Sequence, residues 1–333
     1  MKIVRFLFLL LSLLSALSSS AFAGLPRIMI VNSYHADFLW VKDHNSILKR
    51  GLEGKADLSF HDLDYKRRYP DNCADNIARV KAFSEHYKPD LVVLTDDFAV
   101  RELGGYFESK GIPIIFLGVN GNIRNYVSDT RHMTGVFERP LMKRSIFYLR
   151  ELVGPSLKRA LVIMDDGLSA KALMEESFNN ESSFNVSDTH VDVELLPSFS
   201  KWKKSVLSAK KRGYNALVVG TYHIFKDSHG RIIESKEVMH WTAENSPLPV
   251  FALWALSVGK GRAIGGYVVC GLDQGREALK LIERVLNGEK VEDIQPVMNK
   301  QGHLLFSAPE LKRWNIDPFK GFGDKGYQIR IMR

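Results

Sequence analysis

The 333-residue chain carries 45% hydrophobic and 25% charged residues, a formal charge of +8 and only two cysteines. That mixture excludes a disordered chain, a disulfide-framed miniprotein and a zinc-knuckle array. The basic residues are scattered, with short runs at Lys66-Arg67-Arg68, Lys203-Lys204 and Lys210-Lys211-Arg212, so a solvated surface accounts for the charge and no nucleic-acid partner is implied.

Residues 1–23 read as a cleaved export signal. Lys2 and Arg5 form a basic start, FLFLLLSLLSAL is an apolar stretch too short to span a bilayer, and Ala21-Phe22-Ala23 offers small residues two apart. Residues 24–333 then suffice for two lobes of ordinary size. No later stretch reads as a membrane span, so the expectation is a periplasmic protein whose mature chain is not inserted in the membrane. In that oxidising compartment Cys73 and Cys270 could pair, but two separate thiols are favoured because a chain this long needs no staple.

RIMIVNS (27–33) is a short apolar run ending in turn formers. Residues 43–53 have helical spacing at Ile47, Leu48 and Leu52, and SFHDLDY (59–65) alternates as a half-buried strand. Residues 73–87 place Ile77, Val80, Ala82 and Phe83 on one helical face. LVVLTDD (91–97) and IPIIFLGVN (112–120) are continuous apolar runs, as expected of strands covered on both sides, with a helix from Phe98 to Lys110 between them.

A second series follows: an amphipathic stretch at 138–153, RALVIMDD (159–166), a helix at 169–179, HVDVELLP (190–197), a basic helix at 201–213, ALVVGTYH (216–223), a helix near 234–245 and PVFALWA (249–255). Residues 265–288 then read as strand, turn and helix, capped by Asn287-Gly288. The tail gives one more strand pair and a short amphipathic segment. Two β–α series of this kind predict an α/β protein with parallel sheets covered by helices.

Five strands end in the same way, apolar residues giving way to Asn32-Ser33-Tyr34-His35, Thr95-Asp96-Asp97, Gly118-Val119-Asn120, Asp165-Asp166 and Gly220-Thr221-Tyr222-His223. Ligands of open parallel sheets bind beyond the carboxyl ends of the strands, so these clusters are expected to converge on one crevice. A turn explains any one of them equally well. The candidate ligand-binding residues are Asn32, Tyr34, His35, Thr95, Asp96, Asp97, Asn120, Glu138, Asp165, Thr221, Tyr222, Trp254 and Tyr267. Tyr34 and Trp254 offer stacking surfaces, the carboxylates accept hydrogen bonds and Asn120 offers donor and acceptor. Of Asp96 and Asp97, one is expected to cap the following helix and the other to face the cleft. Tyr267 is expected at the second crossing, as hinge or wall. His35 and His223 lack tight metal-ligand spacing, so no metal and no other cofactor is expected. With no G-x-S-x-G elbow and no G-x-G-x-x-G after a strand, no enzyme is expected either. A secreted enzyme using the cleft carboxylates is the reading of another class.

NSYH with Trp40, LTDDFAVREL (94–103), IPIIFLGVN (112–120), TGVFERPLMKRSI (134–146), ALVIMDDG (160–167) and GKGRAIGGYVVCGLDQGREALKLIERVLNGE (259–289) together resemble the ABC-transporter substrate-binding-like family, of the type I periplasmic binding protein fold. The resemblance implies two doubly wound parallel-sheet lobes joined by a three-strand hinge, with crossings near Gly135, Ile264 and Ile294. One lobe would be 24–136 plus 265–294 and the other 137–264 plus 295–333. It also implies a protein that closes on a small polar or aromatic ligand and delivers it to a membrane permease. APELKRWNID (308–317) is similar to the segment that closes this domain in the extracellular sensors of histidine kinases and diguanylate cyclases. That gives the alternative of a ligand-sensing protein that signals to a membrane sensor protein.

Overall fold

The computed structural model describes residues 24–71, 73–298, 301–322 and 326–333. The expected export signal lies outside the described residues. The first series supplies β1 (Arg27–Asn32), β2 (Asp57–Asp62), β3 (Leu91–Thr95), β4 (Ile114–Val119) and β5 (Met133–Phe137). The second supplies β6 (Arg159–Asp165), β7 (Ser183–Val186), β8 (Thr189–Leu196), β9 (Ala216–Val219) and β10 (Val250–Ala252). Four shorter strands follow: β11 (Gly265–Val268), β12 (Val297–Met298), β13 (His303–Ser307) and β14 (Ile329–Met332).

They form three sheets. The first runs β12-β5-β4-β3-β1-β2 with every pair parallel. The second runs β10-β9-β6-β8-β7 and is parallel except for the β7–β8 hairpin. The third, β11-β13-β14, lies where the chain crosses between the other two. Two doubly wound sheets with short crossing strands are the α/β architecture expected.

Strand periodicity explains the layers. Ile28, Ile30, Leu91 and Val93 face one side of the first sheet, with Leu48, Leu52, Leu281 and Ile282 from two covering helices. Met29, Val31, Val92 and Leu94 face the other, against Phe98, Leu103 and Phe107. Successive strand residues point to opposite faces, so a sheet buried on both sides reads as an unbroken apolar run.

Helix Leu39–Leu52 packs closely on helix Gly271–Leu286. Gly275 permits the approach: a Cβ there would lie 2.9 Å from the Cα of His44. Helix Gly271–Leu286 is thus returned to the first sheet by the second crossing.

Three details differ from expectation. Val297 and Met298 pair with β5, so the chain stays with the first sheet beyond Ile294 and leaves it only after Met298. Strand β7 was not expected; its residues are half exposed, and Ser187, at φ +54°, helps make the tight turn into β8. Phe83 remains 39% exposed, stacked on Tyr87 at 5.2 Å, instead of lying on the buried face of its helix.

Candidate functional site

The carboxyl ends of the two large sheets face one another across a small cavity of about 30 Å³, room for roughly one water molecule. The first sheet sends Tyr34 from the end of β1, Asp96 from the end of β3, Asn120 from the end of β4 and Glu138 from the end of β5. The second sends Ser169 from beyond β6, Gly220, Thr221 and His223 from the end of β9 and Trp254 from the end of β10.

Local backbone conformation aims these groups. Asp96 begins its helix at φ +61°, and Gly118, at φ +73°, makes room beside it: a Cβ on Gly118 would meet Asp96 Oδ1 at 2.9 Å. The indole Nε1 of Trp40 donates to the same oxygen over 3.1 Å. Trp254 is held by a parallel bridge to Val269 and donates its indole N–H to Glu138 Oε1. Glu138 Oε2 accepts from Asn120 Nδ2 at 3.1 Å.

The cavity is closed by contacts between its two sides. Tyr34 Oη and Ser169 Oγ are 3.1 Å apart. The rings of Phe38 and His223 meet edge to face at 5.0 Å.

Charge inside the cavity is mixed. Burial pushes Glu138 up to about 7, against the hydrogen bonds from Trp254 and Asn120. Asp96 is held well above the usual carboxylate range by burial first and by Glu138 second. Lys66, from helix Tyr65–Arg68, lays its ammonium 3.8 Å from the Tyr34 ring centre and 4.2 Å from that of Phe38. Burial lowers its pKa to about 8, while Asp96, Asp165 and Glu138 oppose the shift. Among the described residues no hydrogen bond or ion pair fixes this ammonium; the aromatic faces hold it.

Among the described residues two buried atoms of the lining lack partners: Asn120 Oδ1 and His223 Nε2. Burial holds His223 well below the usual histidine range, so the ring is neutral. Its Nδ1 accepts from the backbone N–H of Tyr222 at 3.2 Å, which leaves the ring proton on Nε2. The cavity therefore presents an unused N–H donor from one side and an unused amide acceptor from the other.

Of the expected residues, Tyr34, Asp96, Asn120, Glu138, Thr221 and Trp254 line the cavity together. Asp165 lies in an adjoining recess and accepts from Thr221 Oγ1 at 2.9 Å and the His223 N–H at 2.7 Å, so it shapes the wall. Asp97 turns away from the cavity and holds a loop, accepting from the N–H groups of Asn120 at 3.1 Å and Gly121 at 2.7 Å and from Tyr126 Oη at 3.2 Å. Thr95 is occupied by Ser33 and Asn32 by Asp62. His35 sits outside the lining, 3.5 Å from Asp64. Tyr222 points into the second core, bonded to Ser257 at 2.9 Å. Tyr267 packs near the crossing strands with Arg144 and Tyr148.

Phe38, Lys66, Ser169 and Leu256 line the cavity without having been expected there. A sequence signal existed for Lys66. Strand β2 ends at Asp62, and the strand-end rule applied there would have included it. Its place in a run of three cations concealed it.

The family model for ABC transporter substrate binding protein matches residues 59–317. The chain belongs to this family. Among solved structures, this substrate-binding protein is similar to an ABC domain from Streptococcus pneumonia in complex with L-Trp, with TM-score 0.66, 16% identity, and 92% of this chain and 100% of that one covered. It is also similar to a substrate binding protein with adhesive properties from Clostridium difficile in its ligand-free, open form, with TM-score 0.63, 13% identity and coverage of 93% and 99%. An ABC transporter solute binding protein from Bacillus halodurans with bound myo-inositol matches with TM-score 0.55, 13% identity and coverage of 89% and 99%. No curated protein sequence matches. These likenesses confirm the type I periplasmic binding fold. The family is one of solute-binding proteins and not an enzyme class, so membership implies a small-molecule ligand and a membrane permease as partner. No helix among the described residues is long and apolar enough to cross a membrane.

Proposed function

We propose that this substrate-binding protein works in the periplasm and closes its lobes on a small zwitterion with an apolar or aromatic body, an amino acid, for delivery to an ABC permease. The lobes are taken as 24–136 with 265–298, and 137–264 with 301–333. The observation that carries the ligand class is the pairing of opposite charges in one cavity with an unused donor and an unused acceptor. Asp96 and Glu138 suit an ammonium, together with Asn120 Oδ1. Lys66 and the Nε2–H of His223 suit a carboxylate. Tyr34, Phe38 and Trp254 supply apolar faces for the remainder. The Streptococcus relative in complex with L-Trp supports the same class. The sensory alternative gains no support from the comparisons.

A cavity of about 30 Å³ is far smaller than the roughly 300 Å³ at which ordinary ligand pockets begin. The lobes must therefore part to admit a ligand, and the ligand shifts the population of open and closed forms. A thermal-shift screen of residues 24–333 against amino acids, amines, sugars, nucleosides and oxyanions tests this. Ligand at about 100 times its Kd adds roughly 2.7 kcal/mol of stability. Hits confined to amino acids are expected. Hits confined to sugars or oxyanions would overturn the ligand class.

A further inference from the structure

We propose that Cys270, Asp273 and His303 form a transition-metal site, suited to Zn²⁺, where the chain crosses between lobes. Their ligand atoms all lie within 4.8 Å of one another. Cys270 Sγ is 3.0 Å from Asp273 Oδ2, and His303 Nε2 is 2.5 Å from the same oxygen. A tetrahedral zinc with bonds of about 2.0–2.3 Å to N, O and S holds its ligand atoms roughly 3.3–3.6 Å apart. Metal entry therefore asks Sγ and Nε2 to move outward from Oδ2 by under about 1 Å.

The donor set is one thiolate, one imidazole and one carboxylate. It favours a borderline-soft ion over Mg²⁺ or Ca²⁺, which take oxygen. The outer shell is also in place. Arg276 Nη1 binds Asp273 Oδ1 at 2.5 Å, leaving Oδ2 to face the thiol and the imidazole. A carboxylate oriented in this way through its far oxygen is a common support for a metal ligand. The two cysteines are unpaired, so Cys270 has no competing disulfide. The fourth position is left to water.

The position gives the site a purpose. Cys270 joins the crossing strand β11 to helix Gly271–Leu286, and His303 opens β13, where it pairs with Val268 of β11. A metal there ties the second crossing to the third. Binding releases the Cys270 thiol proton, now donated to Asp273, to the buffer.

The test uses tag-free protein stripped with chelator, titrated with ZnCl₂ and separately with CoCl₂, against MgCl₂ as control. One zinc per chain, a raised melting temperature and a thiolate-to-cobalt charge-transfer band are expected, with no effect of Mg²⁺. Cys270→Ser should abolish the cobalt band. His303→Gln should weaken zinc binding by about tenfold or more. His303→Gln also keeps the test decisive if Cys270→Ser fails to fold. Absence of stoichiometric zinc and cobalt binding, or binding that neither variant alters, would overturn the proposal.

Discussion

Tyr34 and Ser169 belong to opposite sides of the cavity, and their hydroxyl oxygens stand 3.1 Å apart. Their hydrogen bond exists only when the two sheets are closed, so it biases the closed form. A neutral hydrogen bond contributes about 1 kcal/mol net, roughly a fivefold change in a two-state ratio. Tyr34→Phe and Ser169→Ala should each lower the closed-to-open ratio by about that factor, and together by little more than either alone. Small-angle scattering of the ligand-free protein reads the change. Two silent single variants would remove this contact from the closure mechanism.

Glu138 predicts a pH dependence. Its pKa is raised from 4.5 to about 7 by burial. Between those values the folded protein holds a proton that the unfolded chain has lost, so stability falls as pH rises from about 4.5 to about 7. Glu138→Gln should flatten that segment of the stability curve, measured by urea unfolding at successive pH values. Affinity for an ammonium-bearing ligand should run the other way and rise across the same window as the carboxylate ionises. Affinity that is flat with pH would detach Glu138 from the ligand.

Lys66 predicts the complementary segment. Its pKa falls from 10.5 to about 8 on folding, chiefly through burial. Across that window the unfolded chain holds the extra proton, so stability rises as pH goes from about 8 to about 10.5. Lys66→Met keeps the stem and removes the charge. The variant should lose the rise and should bind an amino acid more weakly than its decarboxylated amine analogue, reversing the wild-type preference. An unchanged preference would argue that Lys66 does not receive the ligand's carboxylate.

Gly275 predicts a packing cost. Any Cβ there meets the backbone of His44 at 2.9 Å, which cannot yield as a flexible side-chain tip would. Gly275→Val should push helix Gly271–Leu286 from helix Leu39–Leu52 and cost about 1–3 kcal/mol by overpacking. Chemical denaturation measures it. Gly105→Val is a matched control on an open helix face, where a Cβ meets nothing within 4 Å. Valine is a better helix former than glycine, so Gly105→Val should lose nothing by propensity. A loss there equal to that of Gly275→Val would mean that the close approach does not set the cost.

The parallel strands were legible because β3 and β4 are buried at every position and so read as unbroken apolar runs. The crevice was legible because parallel strands place their ends together, which brought Asp96, Asn120, Glu138, Thr221 and Trp254 to one cavity. Side-chain direction was not. Asp96 and Asp97 are neighbours, but the left-handed backbone at Asp96 sends one carboxylate to the cavity and leaves the other to bind a loop. The strand-end rule could have brought Lys66 to the crevice but not over two aromatic rings, because that placement depends on contacts between separate segments. The triad of Cys270, Asp273 and His303 was hidden for the same reason: His303 reaches it through the antiparallel pairing of β11 and β13.

The edge strand β12 has a consequence for how the chain is made. It pairs with β5, and helix Gly271–Leu286 covers the same sheet, so the first sheet needs residues 271–298 to be complete. During synthesis from the amino terminus, β1 to β5 emerge well before residues 271–298, on which their sheet depends. Contacts so distant in sequence slow folding. The nascent chain therefore carries an unfinished first sheet until those residues emerge, a state open to chaperones.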